Sequence, residues 1–229
     1  MTVEFVNPGV KLQWITPDAE KQIAYMARVS NPANQENYDT SHKLLAYCIR
    51  NRHWSIFEMA AMCVEITTTR AIARQILRHR SFSFQEFSGR YAVQQDWMQQ
   101  ECRLQDPKNR QNSIDNTPWD LSDWWTLIAQ EEVRALAEKH YREALARGIA
   151  KEVARSILPE GLIASKMYMN GTVRSWLHFL SVRGAEKAGA QKEHRLLALE
   201  VGEILRQNLP SVHSAYLECY PLNPEVSTE

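Results

Sequence analysis

Arg78-His79-Arg80-Ser81-Phe82-Ser83-Phe84-Gln85-Glu86-Phe87-Ser88-Gly89-Arg90-Tyr91 is the stretch from which the chain is read. It closes a run, Thr69 to His79, in which Ile72, Ala73, Ile76 and Leu77 recur at helical spacing while Arg70, Arg74 and Arg78 stand four apart on another face. Like charges at that spacing repel by roughly a few tenths of a kcal/mol per pair on a bare helix, so the row makes sense opposite carboxylates or an anion. An acid, two serines, a glycine and another arginine follow at once. Guanidinium forks, hydroxyls and a glycine that admits close backbone approach suit a phosphate, and interleaved aromatics suit a flat ring. Residue types alone leave two other readings open. One is an exposed amphipathic helix and polar loop on a helical scaffold; the other is a nucleic-acid-binding module that stacks bases on Phe82, Phe84 and Tyr91.

Composition narrows these. The chain has 229 residues, with Lys plus Arg equal to Asp plus Glu at 27 each, so any anion site must come from local clustering rather than a global field. That balance counts against nucleic acid. Length and the lack of a low-complexity linker favour a single domain over 1–229. Cys48, Cys63, Cys102 and Cys219 show no C-x-x-C spacing, which speaks against a metal site and a disulfide framework. With no basic-then-apolar start and no long apolar run, the expectation is a cytoplasmic protein, or one in the host cytoplasm if viral, and no membrane partner.

Outward from the basic stretch, Met62 to Thr69 is rich in Val, Ile and Thr and reads as a strand; Phe87 to Val93 is expected to be another. Val10 to Ile15 alternates as a short strand, and Asp18 is expected to cap a helix from Ala19 to about Val29. A helix from Ser41 to Asn51 follows. Asp96 to Trp119 has no period and reads as a surface excursion, after which Ser122 is expected to cap a long helix stopped by Gly148. A short helix over Lys151 to Ser156, a strand from Ala164 to Met169, a helix bearing Val173, Trp176, Leu177 and Leu180, and a last helix over Gln191 to Gln207 complete the chain. The predicted class is α+β: a central, mostly antiparallel sheet flanked by helices.

At the basic stretch the sequence resembles the flavin-dependent thymidylate synthases, in their viral and bacterial-type branch. It matches their R-H-R-x-x-S-x-x-x-x-S-x-R-Y signature at every fixed position. No G-x-G-x-x-G turn is present, so side chains must replace that backbone cradle for a dinucleotide. Two flanking segments extend the likeness. Arg52-His53-Trp54-Ser55-Ile56-Phe57-Glu58 is similar to the family's H-W-[ST]-x-F-E stretch. Ala154-Arg155-Ser156-Ile157-Leu158-Pro159 and Gly171 to Arg183 are similar to its A-R-x-x-L-P element and later arginine-histidine helix.

The resemblance implies reductive methylation of dUMP to dTMP, with methylenetetrahydrofolate as methylene donor, a hydride from reduced FAD, and NADPH as reductant. It implies a homotetramer whose sites are shared between subunits. FAD would meet His53, Ser55, Glu58, Arg78, His79, Arg80, Glu86, Thr172, Val173, Arg174 and His178; dUMP would meet Gln75, Arg78, Glu86, Phe87, Ser88, Gly89, Arg90, Arg155 and Arg183. Arg183 would stand against the uracil ring as the catalytic cation, and no cysteine lies in or beside the basic cluster to add covalently. On residue type alone, Glu86 reads equally as a counter-charge, Arg183 as a cation capping helix carbonyls, Arg174 and His178 as an ordinary polar face, and His53 as a surface histidine. Two positions depart from the family. Some members carry asparagine where Thr172 stands, and many carry a histidine four residues beyond the arginine matching Arg183, where this chain has Lys187 or the stretch Gly184 to Gln191.

Overall fold

The computed structural model describes residues 5–185 and 189–222. In chain order the regular elements are β1 Gly9–Ile15, α1 Ala19–Ala27, α2 Ser41–Arg50, β2 Ala61–Thr69, α3 Arg70–Ile76, β3 Ser83–Glu86, β4 Leu104–Gln105, β5 Ser113–Ile114, α4 Trp119–Asp123, α5 Gln130–Ala146, α6 Lys151–Ala154, β6 Ala164–Thr172, α7 Val173–Arg183, α8 Lys192–Asn208 and α9 Pro210–Cys219. The main sheet runs β1-β2-β6-β3, antiparallel at each pairing, which matches the α+β class expected from sequence. No helix among the described residues is long and apolar enough to cross a membrane.

Alternation sets the two sheet faces. In β2, Met62, Val64, Ile66 and Thr68 are buried while Cys63, Glu65 and Thr67 are only partly covered; in β6, Met167 and Met169 are buried while Lys166 and Tyr168 are exposed. The buried face packs with α2, α7, α8 and α9 into one core containing Trp176, Phe179, Leu197, Val201 and Tyr216. Trp176 is fully buried and its indole N–H donates to the Met62 carbonyl at 3.0 Å, so its only polar atom is satisfied. A smaller core, with Trp97, Tyr141, Leu158 and Ile163, lies under α5 and α6.

The central pair of strands aims the site helices. β2 and β6 are in register from Ala61↔Thr172 to Thr69↔Ala164, so each strand ends where the other begins. Each strand ends in a threonine that caps the next helix: Thr69 Oγ1 accepts from Ile72 N–H and Thr172 Oγ1 from Ser175 N–H. Helices α3 and α7 therefore leave from opposite ends of the pair.

Several expectations need correction. The strand expected over Phe87 to Val93 is instead Ser83–Glu86, an edge strand that tolerates polar residues because it pairs only with β6. Asp18 does not cap α1 with its side chain; it takes a left-handed φ of 47°. Ser122 lies inside a helical run that opens at Trp119 after Pro118 and passes through a π-helical stretch, Trp124–Ala129; Gly148, at φ 83°, follows its end as expected. The basic helix stops at Ile76, so Arg78 stands in the following turn and the arginine ladder is broken. Arg74 of that ladder pairs with Glu160. α8 is not the last helix: α9 follows, with Pro210 in its first turn. The 96–119 excursion carries the β4–β5 hairpin, tied to the start of α8 by Arg103–Glu193 at 2.5 Å and Lys192–Asp115 at 3.0 Å.

One close approach is testable. A Cβ on Gly171 would lie 2.6 Å from Phe82 Cε1, and Phe82 is itself wedged against Trp176 with centroids 4.6 Å apart. Gly171→Ala should cost about 1–3 kcal/mol by overpacking, lowering the melting temperature by at least roughly 2 °C. An unchanged thermal melt would show that Phe82 is free to move aside.

Candidate active site

The family-matched residues gather into three groups. The first surrounds a cleft of about 600 Å³ lined by Arg52, Trp54, Glu58, Arg174, His178 and Tyr220, with Ser81, Ser175, Leu177, Ser181 and Tyr216 completing it. Its size is within the roughly 300–1,000 Å³ typical of small-molecule sites. Glu58 organises its polar wall. One carboxylate oxygen accepts from the Thr172 hydroxyl at 2.6 Å and the other from an Arg174 N–H at 2.7 Å. The Thr172 bond, with Arg174 adding to it, holds the Glu58 carboxyl below its usual range, so it is ionised. The Ser175 hydroxyl donates to the Ser81 carbonyl at 3.1 Å and so ties α7 to the turn after the basic helix. The opposite wall is aromatic: Tyr216 and Tyr220 stack with centroids 5.0 Å apart, and Trp54 tilts against Tyr220.

The second group lies where α3, α7 and α8 meet. Arg183 Nε donates to His79 Nε2 at 3.0 Å. A guanidinium cannot accept, so that ring nitrogen carries a lone pair and His79 is neutral with its proton on Nδ1. Burial first, then the charge of Arg183, lowers the His79 pKa to about 4. His194 behind it is fully buried and lowered to about 3 by burial and the same guanidinium. Burial and the neighbouring Arg78 charge also lower the Arg183 pKa, yet a guanidinium remains protonated. Among the described residues Arg183 has no carboxylate partner, nor do Arg78 and Arg155, whereas Arg74, Arg90 and Arg174 each pair with a glutamate. A half-buried cation resting on a neutral histidine is set to receive negative charge from a ligand.

The third group is the loop after β3. Gly89 is buried so tightly that a Cβ there would lie 3.3 Å from Arg155 Cδ and 3.2 Å from Gln94. Arg90 pairs with Glu152 at 3.3 Å, and Lys151 Nζ donates to the Tyr91 carbonyl at 3.0 Å. Ser88, Gly89, Arg90 and Arg155 thus share one corner on α6. Glu86 accepts from the Ser165 hydroxyl at 2.7 Å and, among the described residues, pairs with no cation; the counter-charge reading finds no support.

Other placements are plain. Arg183 bonds His79 rather than capping carbonyls. Val173 is fully buried with its N–H on the Ala60 carbonyl, and Arg78, Arg80 and Phe87 are exposed. His53 and Ser55 are exposed on the segment that supplies Trp54 and Glu58, but neither lines the cleft. Arg52, which sequence reasoning did not single out, does line it, from a left-handed φ of 59° that turns the chain between α2 and Trp54. The 184–191 departure falls partly on 186–188, so Lys187 lies outside the described residues.

Comparison with known proteins decides the family. The sequence pattern of the family described as thymidylate synthase complementing protein matches residues 11–211. The chain belongs to that family. It is 50% identical over 218 residues to the flavin-dependent thymidylate synthase of Synechocystis sp., covering 94% of this chain and 99% of that one. It is also 50% identical over 198 residues to a probable flavin-dependent thymidylate synthase of Paramecium bursaria Chlorella virus 1, covering 86% and 90%. The UMP/dUMP methylase PolB from Streptomyces cacaoi, solved with 5-Br dUMP, superposes with a TM-score of 0.84 over 95% of this chain and 97% of that one; at 24% identity this is a likeness of fold. The stretch from Arg78 to Tyr91 gives Ser81 to the cleft, His79 to the second group, and Ser88, Gly89 and Arg90 to the third.

The neutral histidines carry a pH signature. His79, His194 and His213 all have folded pKa values held down by burial, below the ordinary 6.5. Protons then bind the unfolded chain more readily than the folded one. Their contribution to stability is full above pH 6.5 and is lost as pH falls toward about 4. Melting temperature should already drop between pH 6.5 and about 5, above the carboxylate range; a flat profile there would mean these rings are charged in the fold.

Proposed function

We propose that the protein methylates dUMP reductively to dTMP, taking a methylene group from methylenetetrahydrofolate and using FAD, with NADPH as reductant. The observation that carries this reading is Arg183: a half-buried cation at the end of α7, the helix that also lines the cleft, bonded to the neutral His79 imidazole and without a carboxylate partner among the described residues. Family membership and the names of its relatives support the substrate and the flavin.

The cleft residues fit a large ring system with polar edges. Trp54, Tyr216 and Tyr220 offer an aromatic wall, while Arg52, Arg174, His178 and the Glu58–Thr172 pair offer donors and acceptors that would grip FAD. When bound and reduced, FAD supplies the hydride that completes the methyl group. Ser88, Gly89, Arg90 and Arg155 would hold the nucleotide phosphate: a buried glycine admits the backbone, and Arg155 brings a charge that no glutamate answers among the described residues. Gln75 would contact the nucleotide beside Arg183.

For the pyrimidine C5 to attack a one-carbon unit, electron density must enter the ring and charge must develop on O2 and N3. Arg183 would stabilise that charge in place, as fixed donors do at developing oxyanions. An added thiolate is the other route. Of the four cysteines none lines the cleft, and burial raises the thiol pKa of Cys48 and Cys63, which disfavours their reactive form. The Arg183 and Arg155 groups share no hydrogen bond or ion pair among the described residues of one chain. In the proposed homotetramer one subunit's phosphate corner would complete another's ring site.

The test is turnover: purified protein with dUMP, methylenetetrahydrofolate, FAD and NADPH should form dTMP, and omission of any one should stop it. Formation of dTMP without flavin, or none with the full set, would overturn the reading.

A further inference from the structure

His194 is not part of the motifs that mark the site, yet it is fully buried in the first turn of α8 beneath Gln75 and His79. Its Nδ1 lies 3.4 Å from Gln75 Oε1. Gln75 Nε2 in turn donates to Gln191 Oε1 at 2.7 Å, which identifies the other amide atom as the acceptor. With Gln75 Oε1 facing it, His194 carries its proton on Nδ1, because a carbonyl oxygen only accepts. Both atoms of the Gln75 amide are thereby engaged by the N-terminal end of α8 and the residue before it. Gln191 is exposed and competes with water, whereas the contact with the buried His194 is partly shielded and is the one that discriminates.

The same tautomer leaves His194 Nε2 buried with no partner among the described residues. Burying an unpaired acceptor weakens a fold, so packing alone would favour an apolar residue here. The ring also meets His79 edge-on at 5.8 Å and Phe179 at 5.7 Å, closing the face of His79 away from solvent. The turn that holds it is itself braced by Arg103–Glu193 and by Lys192 with Asp115.

We propose that His194 is a positioning residue for the uracil nucleotide: by donating to Gln75 it fixes which amide atom Gln75 presents to the pyrimidine, and by packing on His79 it sets the seat of Arg183. This rests on the functional reading above, through Gln75 and Arg183.

The experiment uses the FAD-loaded enzyme. His194→Phe keeps an aromatic ring of similar size and removes the donor. It should raise KM for dUMP about tenfold, with kcat changed less than about threefold, flavin content unchanged and the melting temperature held or raised. His194→Gln, which keeps a donor, should return KM to within about threefold of wild type. Because the effect runs through Gln75, the Gln75→Ala and His194→Phe changes should be non-additive in KM. A wild-type KM in His194→Phe, or full additivity with Gln75→Ala, would overturn the proposal; a lowered melting temperature with unchanged KM would mark the residue as structural only. Should His194→Phe fail to fold, His194→Met fills the space with a flexible chain and carries the same measurement. Failure of the wild type to make dTMP would instead strike the functional reading, so the two outcomes are distinguishable.

Discussion

Replacing Arg183 by alanine is expected to lower the rate of dTMP formation about 10²–10³-fold while the purified variant keeps its flavin. The magnitude follows from what the residue contributes. It is a preorganised charge in a partly desolvated position, resting on a histidine held neutral, with no carboxylate to blunt it among the described residues. On the proposed reading, charge that develops on the pyrimidine would meet this cation. Nothing in the cleft's polar wall depends on it, since Glu58, Thr172 and Arg174 bond one another at the opposite end of α7. A half-buried cation without an anion also destabilises the fold, so Arg183→Met, which keeps the apolar stem, should melt no lower than wild type. Single-turnover methylation and a thermal melt on the two variants check this. Turnover within about threefold of wild type would remove Arg183 from the chemistry.

The second large effect is expected at Glu58. Glu58→Ala withdraws the acceptor shared by the Thr172 hydroxyl and the Arg174 guanidinium, and frees both from their cleft positions. FAD affinity should fall about 10- to 100-fold, which corresponds to roughly 1.4–2.8 kcal/mol of lost preorganisation. Glu58→Gln keeps an acceptor for Thr172 but not the charge that steers Arg174, and should fall between alanine and wild type. Fluorescence titration with FAD on the apoprotein measures it. An alanine variant that binds flavin as wild type does would place the cofactor elsewhere.

Much of the frame was legible because its residues obey simple periods. β2 alternates cleanly, β6 follows it, and α7 carries Val173, Trp176, Leu177 and Leu180 on one stripe that is buried in the fold. What escaped did so for identifiable reasons. The edge strand Ser83–Glu86 mixes Phe84 with Ser83, Gln85 and Glu86, and an edge needs no apolar alternation on both faces. The helical run opens at Trp119 after Pro118, three residues before the serine that resembles a cap, and the π-helical stretch Trp124–Ala129 then shifts its period. Helix α9 was missed although Pro210 followed by Val212, Ala215 and Tyr216 at spacings of three and one is a usable signal.

The candidate site was legible where motifs carried it and opaque where the fold did. Glu58, Arg174 and His178 were named from segments more than a hundred positions apart, and the structure brings them to one cleft. Arg52, Tyr216 and Tyr220 were not named: aromatic and basic residues near helix ends have many uses, and only packing shows which face a cavity. The Gln191-Lys192-Glu193-His194 run resembles a viral and bacterial branch of the family, but its contact with Gln75, over a hundred residues upstream, is visible only in the fold.

We propose that side chains alone hold the flavin that this enzyme uses. The visible absorbance spectrum of the purified protein, reconstituted with FAD and then treated anaerobically with NADPH, tests it most directly. A bound-flavin band that is retained through desalting and bleaches on reduction is the expected result. A protein that stays colourless after reconstitution, or whose flavin washes away and is never reduced, would contradict it.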